Sequence, residues 1–163
     1  MKEKFYVFLD IDGVLYDWKY IKSLSPEHHG GIIQDFDPES IAALNYLIDV
    51  TKKNYEVELV ISSSWRSNMD FTLKTLIRHG LQIKDINVSR IGNFYYPCYR
   101  GKEIVKYLED KDNKENYIII DDETFDYKEF FEKNRIIKTD IFVSDLKKNM
   151  IDEFLKNINK KRK

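Results

Sequence analysis

Four acidic side chains stand where apolar runs stop, and any chemistry in this chain starts from them. Asp10 and Asp12 follow the run Phe5–Leu9, in the segment Phe8-Leu9-Asp10-Ile11-Asp12-Gly13-Val14. Asp121 and Asp122 follow the run Tyr117–Ile120, and Ser62-Ser63-Ser64 follow Val57–Ile61. Carboxylates brought to one place repel each other strongly unless a cation lies between them. Hard carboxylate oxygens without His or Cys partners favour Mg²⁺ over zinc. Asp10 and Asp12, two residues apart at a strand end, can divide the work: one faces ion and substrate, the other reaches the leaving group. Gly13 allows the tight turn that brings backbone close to a ligand.

The elements that must position these residues read as alternating strands and helices. Short apolar runs stopped abruptly by polar residues are the signature of strands buried on both faces. Asp35–Lys52 reads as a helix, with Asp37 as N-cap, Pro38 in the first turn, and Ile41, Leu44, Leu47 and Ile48 at helical spacing. A second helix spans Asn68–His79 and is closed by Gly80. Ile86–Val88 is a short strand, Gly101–Leu108 begins a helix, and Phe125–Glu132 is a short helix or turn. Ile136–Lys138 and Ile141–Val143 flank a final edge strand, and Leu146–Ile158 is an amphipathic C-terminal helix. The pattern predicts an α/β fold, a three-layer sandwich with a central parallel sheet and right-handed crossovers. Ligands of such sheets bind beyond the carboxyl ends of the strands. Asp10/Asp12, Ser62–Ser64 and Asp121/Asp122 therefore converge on one edge.

Bulk properties exclude several classes. The 163 residues are 42% hydrophobic and 34% charged, with only 6 Gly and 3 Pro, which argues against low complexity. A net charge of −1 gives no global basic field to draw the chain onto nucleic acid, although a local basic groove remains compatible. The lone Cys98 excludes an internal disulfide and a multi-cysteine zinc site. No run approaches the about 18 apolar residues of a membrane span, so no membrane partner is expected. Met1-Lys2-Glu3-Lys4 does not open a signal peptide, and a reducing, cytoplasmic setting fits best. The domain is expected over residues 1–159, with a small flap at about 15–34 and a basic tail at 160–163.

Asp10-Ile11-Asp12-Gly13-Val14 after an apolar strand resembles the first motif of the haloacid dehalogenase (HAD) superfamily. Val60-Ile61-Ser62-Ser63-Ser64 resembles its second motif, and Ile118-Ile119-Ile120-Asp121-Asp122 its acidic fourth. The resemblance runs from Phe5 to about Leu155. Ser64-Trp65-Arg66, Arg100-Gly101-Lys102-Glu103-Ile104, Asp121-Asp122-Glu123 and Arg135–Asp140 resemble one branch, the HAD domain of RNA-repair (Swiss Army Knife) proteins and polynucleotide kinase 3′-phosphatases.

The resemblance implies a Mg²⁺-dependent phosphatase. Asp10 attacks phosphorus and forms an aspartyl-phosphate. Asp12 protonates the leaving oxygen and then activates water. Ser62 or Ser63, with Ser63 preferred, binds phosphoryl oxygens. Mg²⁺ is held by Asp10, Asp121, Asp122 and the backbone carbonyl of Asp12. The third-motif cation is either Lys102 or Arg100; arginine would grip two oxygens at once. Arg66 reads equally as a phosphate contact or a surface ion pair, and Trp65 as core rather than a base-stacking platform. Phe94, Tyr95, Tyr96 and Tyr99 form either a packed loop or a stacking wall.

Between Asp12 and Ser62 one helix and one strand use much of the chain, and between Ser64 and Lys102 too little remains for a full cap. A nearly capless site suits a large substrate, such as a nucleic-acid end or a phosphoprotein, and the leading expectation is a phosphomonoesterase acting on polynucleotide 3′ ends or nucleotides. The alternatives are a non-catalytic phosphate- or nucleic-acid-binding module on a HAD scaffold, and a phosphotransferase.

Overall fold

A computed structural model describes residues 2–24, 35–92 and 99–161, with side chains to Asn157. Five strands form one sheet: β1 (Lys4–Leu9), β2 (Glu56–Ile61), β3 (Asn87–Arg90), β4 (Tyr117–Asp121) and β5 (Ile136–Lys138). Their order is β3-β2-β1-β4-β5, and every neighbouring pair is parallel. The chain builds outward from β1 on one side and then returns to β1's other edge with β4. That reversal is the switch point at which open parallel sheets bind ligands.

Alternation along β1 explains why both faces are covered. Phe5, Val7 and Leu9 enter one buried cluster, with Leu44, Leu47 and Ile48 of α2 (Pro38–Lys52), Leu76 of α3 (Met69–Arg78), and Ile151 and Phe154 of α5 (Lys148–Lys161). Tyr6 and Phe8 point the other way, against Ile104 and Leu108 of α4 (Arg100–Glu109) and Tyr127. Each fully buried Leu, Ile or Phe contributes about 1.5–3 kcal/mol, so the sheet is held from both sides. The helix α2 starts as its residues predict: Asp37 accepts the Glu39 N–H at 2.9 Å and Pro38 occupies the first turn.

Three elements depart from the sequence reading. Within the predicted flap, Trp18–Ser23 folds as a short helix, α1, whose N-cap Asp17 accepts the Tyr20 N–H at 2.7 Å. Six residues are too few for a readable period. The Ile141–Val143 run is not strand, because Asp140 Oδ1 accepts the Phe142 N–H and closes a turn that leaves Phe142 and Val143 exposed. Leu146 precedes α5 rather than starting it: its N–H bonds to the Val14 carbonyl and its carbonyl accepts the Ser40 hydroxyl. Those bonds tie the C-terminal segment to the turn after β1 and to α2.

Pro26, His28, His29, Gly30, Gly31, Phe94, Tyr95, Tyr96, Cys98 and the end of the basic tail lie outside the described residues. Among the described residues no helix is long and apolar enough to cross a membrane.

Candidate active site

Sheet register delivers the site. The last pairs of the central strands are Leu9↔Ile61 and Leu9↔Ile120. One step further, Ser62, Asp10 and Asp121 form a row across β2, β1 and β4. The Ser62 N–H donates to the Leu9 carbonyl and the Asp10 N–H to the Ile120 carbonyl, which continues the parallel ladder to this row. All three residues are buried. Their preceding partners on the same face, Val60, Phe8 and Ile119, pack in the cluster beneath α4.

The first residue of α4 enters from above. Arg100 Nη1 donates to Asp10 Oδ1 at 2.8 Å and to Asp121 Oδ2 at 3.2 Å, and its guanidinium lies 4.6 Å from the centre of the Phe125 ring. Asp121 also accepts the Tyr127 hydroxyl on Oδ2 at 2.6 Å and the Glu123 N–H on Oδ1 at 2.9 Å. Asp122 is half-buried, and oxygens of Asp10, Asp121 and Asp122 lie within 4.8 Å of one another. Gly13 has φ +73°, and a Cβ there would clash with Asp122 Oδ2. Only glycine lets the β1 turn and this carboxylate approach so closely.

Electrostatics set the carboxylates apart from ordinary ones. Burial and the neighbouring Asp121 raise the Asp10 pKa well above the carboxylate range, against the pull of Arg100. Burial also raises Asp121, opposed by Arg100 and by the Tyr127 hydrogen bond. Burial, then Asp121 and Glu123, push Asp122 up to about 6. Burial works against the charge of Arg100, yet Asp10 and Asp121 outweigh it and raise its pKa, so it stays cationic. One guanidinium bridging two of these three carboxylates leaves an excess of negative charge, the setting in which a hard divalent cation binds.

Asp12 sits beside this group, its Oδ1 accepting the Tyr16 hydroxyl at 2.8 Å and the Trp65 indole N–H at 3.0 Å. Burial and the charge of Asp12 raise the Tyr16 pKa, which keeps that hydroxyl a donor. Ser63 caps the turn Ser64–Asn68, its Oγ accepting the Trp65 N–H at 3.4 Å. Ser62 Oγ is fully buried and has no hydrogen-bond partner among the described residues.

Two predicted residues lie elsewhere. Lys102 is exposed, with Nζ 4.5 Å from the centre of the Tyr99 ring. Arg66, read as a phosphate contact or a surface ion pair, is instead buried: Nε donates to Gly92 O, Nη1 to Ser62 O and Ser63 O, and Nη2 to Glu103 at 2.8 Å. The short helical turn after Ser63 aims it inward, where it ties down the carbonyls of the serine segment.

Sequence reasoning passed over Asp126, Tyr127 and Tyr16. Asp126 accepts the N–H groups of Gly101 at 2.6 Å and Lys102 at 3.1 Å, capping α4 from outside its own segment. The one available signal was a missing cap: no Ser, Thr, Asp or Asn stands before Arg100, and Tyr99 makes no side-chain cap.

No curated protein matches the chain. Residues 6–145 match the family model described as the HAD domain in Swiss Army Knife RNA repair proteins, and the chain belongs to that family of haloacid dehalogenase domains.

Proposed function

We propose that this HAD domain is a Mg²⁺-dependent phosphomonoester hydrolase that works through an aspartyl-phosphate on Asp10. The observation that supports it most is the Ser62–Asp10–Asp121 row at the sheet edge, bridged by Arg100 and flanked by Asp122. The oxygens of Asp10, Asp121 and Asp122, within 4.8 Å of one another, fit a hard divalent cation that the Asp12 carbonyl would complete. Mg²⁺ bound there neutralises charge on the transferring phosphoryl group.

The chain's own residues supply the rest. A carboxylate oxygen of Asp10 bonds to phosphorus as the bond to the leaving oxygen breaks, and Asp12 gives that oxygen a proton. Asp12 then takes a proton from water as the water oxygen attacks phosphorus, releasing phosphate and restoring the Asp10 carboxylate. Arg100 fills the third-motif role in preference to Lys102, because it is the cation that reaches Asp10. Ser62 takes a phosphoryl oxygen in preference to Ser63, because its buried hydroxyl is unpartnered while that of Ser63 caps a turn. A buried hydroxyl without a partner costs about 1–3 kcal/mol, which a bound phosphoryl oxygen would recover.

The substrate class that fits is a nucleotide or polynucleotide 3′ end. The flap contributes only the short α1 among the described residues, and exposed Tyr99, with the Lys102 ammonium over its ring, pairs an aromatic face with a cation. The test is phosphate release from mononucleotides, 3′- and 5′-phosphorylated oligonucleotides and phosphopeptides, with Mg²⁺ and with chelator. Mg²⁺-dependent turnover favouring 3′ ends, lost in Asp10→Asn, is the expected result. No turnover on any of these substrates would return the domain to a binding role.

A further inference from the structure

Asp12 is held at one oxygen and open at the other. Its Oδ1 accepts both the Tyr16 hydroxyl and the Trp65 indole N–H, while Oδ2 takes no donor from the described residues. An indole N–H donates and never accepts, so the oxygen facing it has to present a lone pair. A proton carried by Asp12 therefore belongs on Oδ2. The terminal torsion of an aspartate is broad and roughly two-fold, and without these donors the two oxygens would exchange places.

Trp65 is itself fixed. Phe71 stacks on it at 5.7 Å and 29°, Phe36 tilts against it at 5.6 Å and 51°, and its carbonyl accepts the Thr72 hydroxyl at 2.8 Å. The ring contacts would suit a phenylalanine equally well. What tryptophan adds is the N–H, and that N–H is spent on Asp12. The turn led by Ser63 thus carries an orienting donor across the sheet edge to the segment after β1.

We propose that Trp65, together with Tyr16, is a positioning residue that directs Asp12 Oδ2 at the leaving oxygen of the substrate. In the first step the Asp10 oxygen–phosphorus bond forms, the bond to the leaving oxygen breaks, and the Oδ2 proton passes to that oxygen. Asp12 is left as a carboxylate with both donors still on Oδ1. The assignment rests on Asp12 being the acid of the proposed hydrolase.

Leaving-group dependence separates this role from a structural one. An aryl ester such as p-nitrophenyl phosphate expels a stable anion with little need of a proton, whereas an alkyl ester such as glycerol 2-phosphate needs one. The experiment compares kcat/KM, which reports the first chemical step, for both esters in the wild type, Trp65→Phe, Tyr16→Phe, the double variant and Asp12→Asn. General-acid contributions of about 10²–10⁴ in rate set the scale. Trp65→Phe is expected to lower kcat/KM for the alkyl ester about 10–100-fold and for the aryl ester at least about tenfold less. The double variant should approach the selectivity loss of Asp12→Asn. Equal losses on both esters, or none on either, in Trp65→Phe and Tyr16→Phe while Asp12→Asn remains selective would overturn the inference. If Asp12→Asn shows no preference between the esters, the acid assignment fails first and the inference with it. Should Trp65→Phe not fold, Tyr16→Phe carries the same comparison, since it removes one oxygen and leaves the ring.

Discussion

Arg100 Nη1 lies 2.8 Å from Asp10 Oδ1, while Lys102, two residues later on the same helix, turns its ammonium over the Tyr99 ring. Both positions carry a cation, and only one reaches the sheet edge. Arg100 is the first residue of α4, where the side chain projects back past the helix end toward β1 and β4.

Replacing Arg100 with methionine should therefore lower kcat by about 10²–10³, the usual scale for removing a donor aimed at developing charge. Lys102→Met should stay within about threefold of wild type on small esters. Steady-state kinetics of the two variants decide which cation serves the site; the reverse ranking would return the role to Lys102.

The cap on α4 positions that arginine. Asp126 takes both the Gly101 and Lys102 N–H groups, and a Cβ on residue 101 would come within 2.7 Å of Asp126 Oδ1. Asp126→Ala should lower stability by about 1–2 kcal/mol, as lost caps do, and lower kcat as well. Gly101→Ala should do the same by displacing the carboxylate. Urea unfolding midpoints beside kcat check both, and Asp126→Asn, which keeps an acceptor oxygen, should recover part of the loss.

Arg66 supports the fold around the serines. Its ion pair with Glu103 is nearly buried on both sides, and its other N–H groups hold the Gly92, Ser62 and Ser63 carbonyls. Arg66→Met strands Glu103 and should cost about 3–5 kcal/mol. The measurement is chemical denaturation, and a loss of substrate affinity at unchanged stability would point back to a phosphate contact.

The sheet and the edge that carries the candidate site were legible because parallel strands buried on both faces leave continuous apolar runs, and polar residues stop those runs where the sheet ends. Asp10, Ser62 and Asp121 could be located that way from the sequence alone. Asp126 on α4 and Trp65 on Asp12 could not, since each bond joins segments far apart in the chain and neither partner sits in a periodic pattern. Arg66 misled for a local reason: it follows three serines at a strand end, yet the tight turn that Ser63 caps rotates it into the interior. The helix α1 was missed because a single capped turn carries too few apolar positions to show a period.

The raised carboxylates set the pH dependence expected of metal binding at the proposed site. Asp10, Asp121 and Asp122 have folded-state pKa values above their unfolded values, about 6 for Asp122. Without metal, their contribution to stability is present below the unfolded carboxylate range and is lost as pH rises through the folded values. At the proposed site Mg²⁺ would bind the deprotonated groups and so restore stability on the high-pH side. At about 100-fold excess over its Kd the gain is about 2.7 kcal/mol. Thermal melts should show Mg²⁺ raising Tm by several degrees near about pH 7.5 and far less near about pH 5. Equal shifts at both, or a shift that survives Asp122→Asn unchanged, would remove these carboxylates as the metal site.

The proposed hydrolysis turns on a covalent step at Asp10, and trapping that intermediate is the most direct measurement. The protein is quenched during turnover of a phosphate ester with Mg²⁺, reduced with tritiated borohydride, digested and mapped by mass spectrometry. One labelled peptide is expected, containing reduced Asp10, that disappears when substrate is omitted and in Asp10→Asn. Phosphate release at full rate with the label absent, or carried by another residue, would contradict it.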